Sequence, residues 1–319
     1  MATFPLSNLP IRSNRLFYQV NPKIGISYFR PIKSEISLAS PNHIPIFEHS
    51  YPEFLLRYPR FIWWLYAFNW FTQLRKWYVF KALRKEVKNL PASYHLADMG
   101  CGEGQFLFPF VKSNKTANFS AIDKNAANIA FCQSYASITC SKNCQIIHSD
   151  INSVHLKNQA DLLLCVGVLQ YVENDNAALT NLHNQCKSGG KLLLYLPVNG
   201  RFILPFYKLL FNKFSNYETV QHRRRIYQPE DVISKLKAVG FSVEKQQSTY
   251  GIFGILSHEI QHSFLLLITH LPMLFKCVFA LLLILFLPLI WMLMLLDFVK
   301  PKKSGNGLLV VARKINLNK

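Results

Sequence analysis

The stretch Tyr94-His-Leu-Ala-Asp98-Met-Gly100-Cys-Gly102-Glu-Gly104 decides the fold. A short apolar run ends in an acid and passes at once into three glycines spaced GxGxG. The run reads as a buried strand, and the glycines as a tight turn into a helix beginning near Gln105. Glycine takes backbone angles closed to other residues and lets a ligand approach the main chain. An acid just before the turn suits a cofactor that carries positive charge, whereas phosphate-binding loops set an anion on a helix N-terminus. The dinucleotide fingerprint GxGxxG would need its last glycine at the place of Gln105, which disfavours a nucleotide-linked oxidoreductase.

The order of the downstream segments supports this start. Phe119-Ser-Ala-Ile-Asp123 is a second apolar run ending in an acid, at the distance expected of a βαβ unit. A carboxylate at such a strand end can accept hydrogen bonds from ribose hydroxyls. Ile146-Ile-His-Ser-Asp150-Ile151 repeats the pattern, residues 161–168 form a fourth strand leading into Leu169-Gln-Tyr171, and 189–197 form a fifth. Helix-forming stretches lie between them, notably 125–137 and 174–187. Apolar strands alternating with amphipathic helices predict a largely parallel sheet covered on both faces. Asp98, Asp123 and Asp150 each have a plainer reading as helix caps. All three in this order, together with the glycines, favour cofactor binding. Asp161, at the far end of its strand, reads as structural.

On these residues the chain resembles a class I S-adenosylmethionine-dependent methyltransferase, with a leaning toward the quinone- and lipid-type small-molecule enzymes. The similarity runs from about Tyr94 to Gly251 and resumes at the C-terminus. It implies an α/β, Rossmann-like, doubly wound sheet of seven strands, mostly parallel with an antiparallel last strand, and S-adenosyl-L-methionine as cofactor. By resemblance, the loop of Asp98, Gly100, Cys101, Gly102 and Gly104 lies under the methionine part of the cofactor. Asp123 would hold the ribose, Asp150 and Ile151 would border the adenine, and the segment from Val166 to Tyr171 would face the methyl group. The stretch Gln228 to Phe241 matches the late helix, with Val239 in the place of a small residue. Phe241 to Gln247 and Gly307 to Lys314 match the last two strands, an antiparallel pair.

Composition bears on where the enzyme works. At 319 residues the chain exceeds one catalytic domain of this type, so one domain with additions is expected. A net charge of +19 favours an anionic partner surface. Nucleic acid is disfavoured because no RNA-binding module or DNA-reading motif is present, and apolar content is 50%. An acidic membrane leaflet is the preferred partner. The seven cysteines are scattered and read as free thiols. Cys140 and Cys144 lack a second ligand pair, so no metal site is expected.

Residues 263–303 form a hydrophobic insertion before the last strand, between catalytic segments 91–262 and 304–319. Cys277 to Leu296 carries no charge, and about 20 apolar residues suffice to span a bilayer as a helix. If 241–247 and 307–314 pair in one sheet, both flanks lie on the same side of the membrane, so a single crossing is impossible. The apolar stretch from Phe264 to Phe298, interrupted by Pro272, Lys276 and Pro288, is short for two crossings. A re-entrant or monotopic helical hairpin fits best, since polar backbone in lipid must be bonded internally. A hydrophobic soluble cap over the active site is the alternative. Lys300, Lys302 and Lys303 come immediately after it, as expected at a cytoplasmic, anionic headgroup surface.

Residues 46–90 are read as an aromatic-rich lid or interfacial segment. Its apolar run at 61–71 is too short to span, and it is dense in Trp and Tyr, which prefer the headgroup zone. An ordinary buried helix is the alternative. Residues 1–45 read as a basic flexible segment; 1–34 carry five basic residues and no acid, in a composition shared by transit peptides and lipid-attracted tails.

Methyl transfer from a sulfonium is a direct displacement, so alignment carries much of the catalysis. A general base is needed only if the acceptor must lose a proton. In the substrate region Asn199 to Tyr227, His222 is the first candidate base, ahead of His262. Tyr171 is a candidate for lining the methyl pocket, and Arg224 and Arg225 for meeting an acidic group. The expected function is methylation of an apolar or lipid-like small molecule at a membrane surface, with O-methylation favoured over C-methylation. An RNA methyltransferase and a catalytically inactive, membrane-binding scaffold are the rivals. The acceptor and the oligomeric state are not legible in the chain.

Overall fold

A computed structural model describes residues 58, 61–139, 141–214 and 225–315. Two helices come first, α1 (Ile62–Thr72) and α2 (Leu74–Val87). The catalytic domain then alternates β1 (His95–Met99), α3 (Phe108–Ser113), β2 (Asn118–Asp123), α4 (Ala126–Ile138), β3 (Cys144–His148) and β4 (Ala160–Val166). It continues with α5 (Asp175–Gln185), β5 (Cys186–Pro197), α6 (Pro205–Lys213), α7 (Pro229–Ala238) and β6 (Phe241–Thr249). Two long helices, α8 (Ile252–His270) and α9 (Met273–Val299), precede β7 (Gly307–Lys314).

The seven strands form one sheet in the order β3-β2-β1-β4-β5-β7-β6. β1 to β5 pair in parallel, and β7 runs antiparallel to both neighbours, β5 and β6. This is the Rossmann-like methyltransferase sheet that the sequence predicts. Strand residues alternate between two cores because successive side chains point to opposite faces. Leu96, Phe119, Leu162, Leu164, Leu193 and Val311 face α2, α3, α4 and the end of α9. Ala97, Leu163, Leu192, Leu194, Val310 and Ala312 face α5 and α7.

The helix after the glycine turn starts at Phe108 rather than near Gln105. The intervening residues turn because Gly100, Gly102 and Gly104 all have positive φ, and a right-handed helix begins only after them. Pro109 then sits in the helix's first turn, where its missing N–H costs nothing.

Because β6 and β7 are adjacent, the chain that leaves the sheet through α8 must return through α9. The two helices pack on each other and break at Leu271–Pro272. α8 begins at Ile252, so it runs without interruption across residue 263. One face of the C-terminal part of α9 is buried in the domain through Ile290, Leu293, Met294 and Asp297, while Met292, Leu295 and Val299 stay exposed on the other. α8 buries Ile255, Glu259 and Leu266, while the first part of α9 is open, with Leu274, Leu281, Ile284 and Leu285 among its exposed residues. Both helices are long and apolar enough to cross a membrane by length and composition. α1 lies against α9, where Phe71 stacks on Trp291 at 4.9 Å and the Trp291 Nε1 donates to the Phe71 carbonyl.

Candidate active site

The turn after β1 is stitched to β2. The amides of Gly100 and Cys101 both donate to the Ile122 carbonyl at 2.8 Å. The Asp123 carboxylate accepts from the Gly102 amide with one oxygen and from the Asn125 amide with the other, each at 2.8 Å. Asn125, not Asp123, caps α4, accepting from the Ala127 and Asn128 amides. Asp150 lies beyond the end of β3 and accepts from the Asn152 amide and side chain; Ile151 beside it is buried. Asp123 and Asp150 therefore shape the loops around the strand ends and do not serve as helix caps.

Asp98 is different. It is 1% exposed, and its Oδ2 has no hydrogen-bond partner among the described residues. Burial, reinforced by the negative charge of Asp123, pushes its pKa up to about 8. A buried carboxyl in that state gains from a cationic partner. Above it the turn is open: a Cβ on Gly102 would meet nothing within 4 Å, whereas one on Gly100 or Gly104 would strike Val168 or Phe108 at 2.3 Å. Glycine is thus required below the loop for packing, and above it there is room for a ligand. These residues fit a cofactor whose cationic part is received by the carboxyl at the strand end.

α1 closes one side of this cleft. The Tyr66 hydroxyl donates to the Glu103 carbonyl in the glycine turn. Behind it Lys76 is buried, with its ammonium 5.3 Å from the Tyr66 ring centroid; burial and the charge of Arg75 lower its pKa to about 8.

A cavity of about 280 Å³ opens at the carboxyl ends of β4 and β5. Gly167, Gln170 and Tyr171 line it after β4, Tyr195 and Pro197 from β5, and Ile255, His258 and Glu259 from α8. Ligands in open α/β sheets bind outside the carboxyl ends of the strands. α6 forms a second wall: Glu259 accepts from the Ile203 and Leu204 amides at 2.9 and 2.6 Å, and Tyr207 bonds His262 Nδ1 at 2.8 Å. Farther along, Leu210 packs with Leu266, and Phe214 stacks on His270 at 4.3 Å.

The structure thus gathers Asp98, Gly100, Cys101, Gly102, Gly104 and Asp123 at one turn, with Asp150 and Ile151 at the next strand end. Val166 ends β4, and Tyr171 lines the cavity beside it. His222 and Arg224 fall outside the described residues. Arg225 is committed elsewhere, to an ion pair with Asp175 at 2.7 Å and a bond to the Glu173 carbonyl. Sequence reasoning missed Arg75 and His258 as cavity residues. Both lie in segments read as lid and as the approach to the insertion, and no local motif marks either.

A family model described as a methyltransferase domain matches residues 92–251, half of the chain. The chain belongs to the class I S-adenosylmethionine-dependent methyltransferases, and S-adenosylmethionine is its cofactor. Among solved structures it is similar to Haemonchus contortus phosphoethanolamine N-methyltransferase 2 in complex with phosphomonomethylethanolamine and S-adenosylhomocysteine, at 14% identity and a TM-score of 0.48. That match covers 71% of this chain and 50% of the other, so this chain spans half the length of that enzyme. It is also similar to the YcgJ protein from Bacillus subtilis, with 12% identity, 74% and 97% coverage, and a TM-score of 0.46. A third is a methyltransferase from Aquifex aeolicus dependent on the same cofactor, with 17% identity, 52% and 82% coverage, and a TM-score of 0.40. No curated protein matches the chain.

Proposed function

We propose that the enzyme methylates an apolar or lipid-like small molecule drawn from a membrane surface. One observation carries this reading: the helix that walls the acceptor cavity with Ile255, His258 and Glu259 is the same helix that runs out into the exposed apolar hairpin. A lipophilic acceptor lodged beside the hairpin would reach the strand ends without entering bulk water. The aromatic lining of the cavity, from Tyr171, Tyr195, Phe202 and Phe211, suits such a molecule.

In this reading Asp98 receives the cationic part of the cofactor, the glycine turn lets it approach the main chain, and Asp123 offers its remaining lone pairs to ribose hydroxyls. Asp150 and Ile151 border the adenine, and Val166 and Tyr171 line the space toward the acceptor. Bound cofactor supplies an electrophilic methyl carbon on a sulfonium. The protein's part is to align the acceptor with it and to limit water around it, for which an aromatic-lined cavity is suited.

The hairpin dips into one leaflet and returns, with Lys300 and Lys303 at its foot available to anionic headgroups. α1 adds a second interfacial surface through Trp64 and Phe68. The test is to replace Leu274, Leu281 and Leu285 together by Gln. These residues are 76, 68 and 72% exposed, so the fold should stand while flotation with anionic vesicles is lost. A variant that floats as wild type would end the hairpin reading. Lipid extracts of cells with and without the gene, compared for the mass of one added methylene unit, would identify the acceptor. A detergent-free soluble protein with salt-sensitive RNA affinity would favour RNA as substrate.

A further inference from the structure

Two side chains in the acceptor cavity have chemistry that nothing else in the fold uses. Arg75, near the start of α2, extends to the end of β4, where its Nη1 lies 3.5 Å from the point a Cβ would occupy on Gly167. Its Nε makes a long bond of 3.4 Å to Gln73 Oε1. Among the described residues no carboxylate pairs with its guanidinium. This sets it apart from Arg225 and Arg313, which both have acid partners. An arginine fork held without a counterion beside an apolar cavity is suited to an oxygen anion brought by a ligand.

Beside it, His258 opens its ring to the cavity and makes no hydrogen bond among the described residues. Its surroundings are aromatic and cationic. His262 stacks on it at 5.3 Å from the same helix, Tyr207 approaches at 6.3 Å from α6, and Tyr250 at 6.1 Å from the end of β6. The neighbouring Glu259 also lines the cavity, and its two carboxylate oxygens are engaged by the Ile203 and Leu204 amides ahead of α6. Desolvation, with the nearby His262 and Arg75, lowers the His258 pKa to about 3, so the imidazole is neutral at physiological pH. It gains basicity only as negative charge develops on an oxygen held beside it, which is the charge Arg75 would hold. Gln170 completes the group: it is 5% exposed, donates to the Gly167 carbonyl at 3.0 Å, and leaves its Oε1 without a partner.

We propose that Arg75 and His258 are the oxygen-activating pair of this enzyme, and that the acceptor therefore presents a phenolic or enolic hydroxyl which leaves as a methyl ether. A ring nitrogen of His258 takes the hydroxyl proton while Arg75 holds the oxygen as its charge develops. That oxygen forms the new bond to the methyl carbon, the bond from this carbon to sulfur breaks, and the electron pair stays on sulfur. The imidazolium then returns its proton to water. The pairing suits an acidic hydroxyl: an aliphatic alcohol would need a stronger base, and a carboxylate would need no base. The proposal rests on the cavity being the acceptor site.

The experiment uses the full chain in detergent micelles, with S-adenosylmethionine and para-octylphenol as methyl acceptor. The ortho-nitro derivative of that phenol reports ionisation through its visible phenolate absorbance. His258→Phe should lower ether formation about a hundredfold or more at neutral pH, with cofactor affinity unchanged, and the loss should shrink as pH is raised and the phenol ionises unaided. His258→Gln gives the same reading if the first variant folds poorly. Arg75→Met should remove the gain in bound phenolate that wild-type protein produces below neutral pH. Ether formation by His258→Phe within a few-fold of wild type would overturn the assignment. So would a bound nitrophenol whose ionisation ignores Arg75, or faster methylation of para-octylbenzoate independent of His258. If para-octylphenol is not turned over, the nitrophenol readout decides alone, and no wild-type gain in phenolate overturns the proposal. Ile255→Trp, which fills the cavity, separates the two levels. Ether formation that survives it rejects the cavity itself, whereas loss there with normal Arg75 and His258 variants rejects only the pair.

Discussion

The hydroxyl of Tyr78 donates to the carboxylate of Asp297 at 2.7 Å, although the two residues stand 219 positions apart. The same carboxylate accepts from the Gly254 amide at 3.0 Å in the first turn of α8 and pairs with Lys302 at 3.4 Å. One buried acid at the foot of the hairpin thus joins α2, α8, α9 and the approach to β7. Removing a partner from a buried charged group leaves the others unsatisfied, at a cost of about 3–5 kcal/mol. Asp297→Ala should lose roughly that much stability by chemical denaturation in detergent. Asp297→Asn, which keeps the shape and part of the bonding, should lose less.

Asp98 makes cofactor binding and apo stability respond oppositely to pH. Its folded pKa of about 8 lies above the ordinary carboxylate value, so between the two the folded apo protein holds a proton that the unfolded chain releases. Stability from this group is complete at low pH and declines as pH rises toward about 8. A bound cation favours the carboxylate, so binding should release a proton below that pH and affinity should rise toward it. Titration calorimetry in buffers of different ionisation enthalpy reads the proton directly. Asp98→Asn should abolish the pH slope and weaken cofactor binding. At pH 8 its apo form should melt higher, by roughly 2–4 °C for each kcal/mol gained.

The three glycines should respond differently to alanine. Gly104→Ala puts a Cβ into the Phe108 ring at a backbone φ of +74°, so it should unsettle the turn by roughly 1–3 kcal/mol and lose cofactor affinity with it. Gly102→Ala has φ +53° and no neighbour within 4 Å, leaving only the left-handed backbone cost of about 1–2 kcal/mol. Its methyl group projects into the space over the turn, so affinity should fall out of proportion to stability. Thermal melts beside equilibrium binding distinguish the two variants.

α1 faces two ways, and each face can be tested. Its inner Tyr66 meets the glycine turn, while Trp64 is 76% exposed and Phe68 points outward with it. Replacing Trp64 and Phe68 by Gln should weaken binding to anionic vesicles in a co-sedimentation assay and leave cofactor affinity in detergent unchanged. Tyr66→Phe should do the reverse.

Local sequence determined the elements and their order. The acid–glycine turn, the apolar runs ending in Asp123 and near Asp150, and the late helix all lie where period and punctuation put them, because burying both faces of a parallel sheet demands continuous apolar runs. The return of the hairpin was also legible, since two strands that pair must have both connections on the same side. Tertiary structure alone decided three things. The turn extends to Leu107 because three positive-φ glycines delay the helix. One face of the last part of α9 is core, because Asp297 must reach Tyr78 and the start of α8. The cavity at the ends of β4 and β5 draws Arg75 from α2 and His258 from α8, residues separated by almost the whole catalytic domain. Periodicity records which face of a helix is buried; which distant side chains meet behind that face depends on how the sheet and the hairpin close in space.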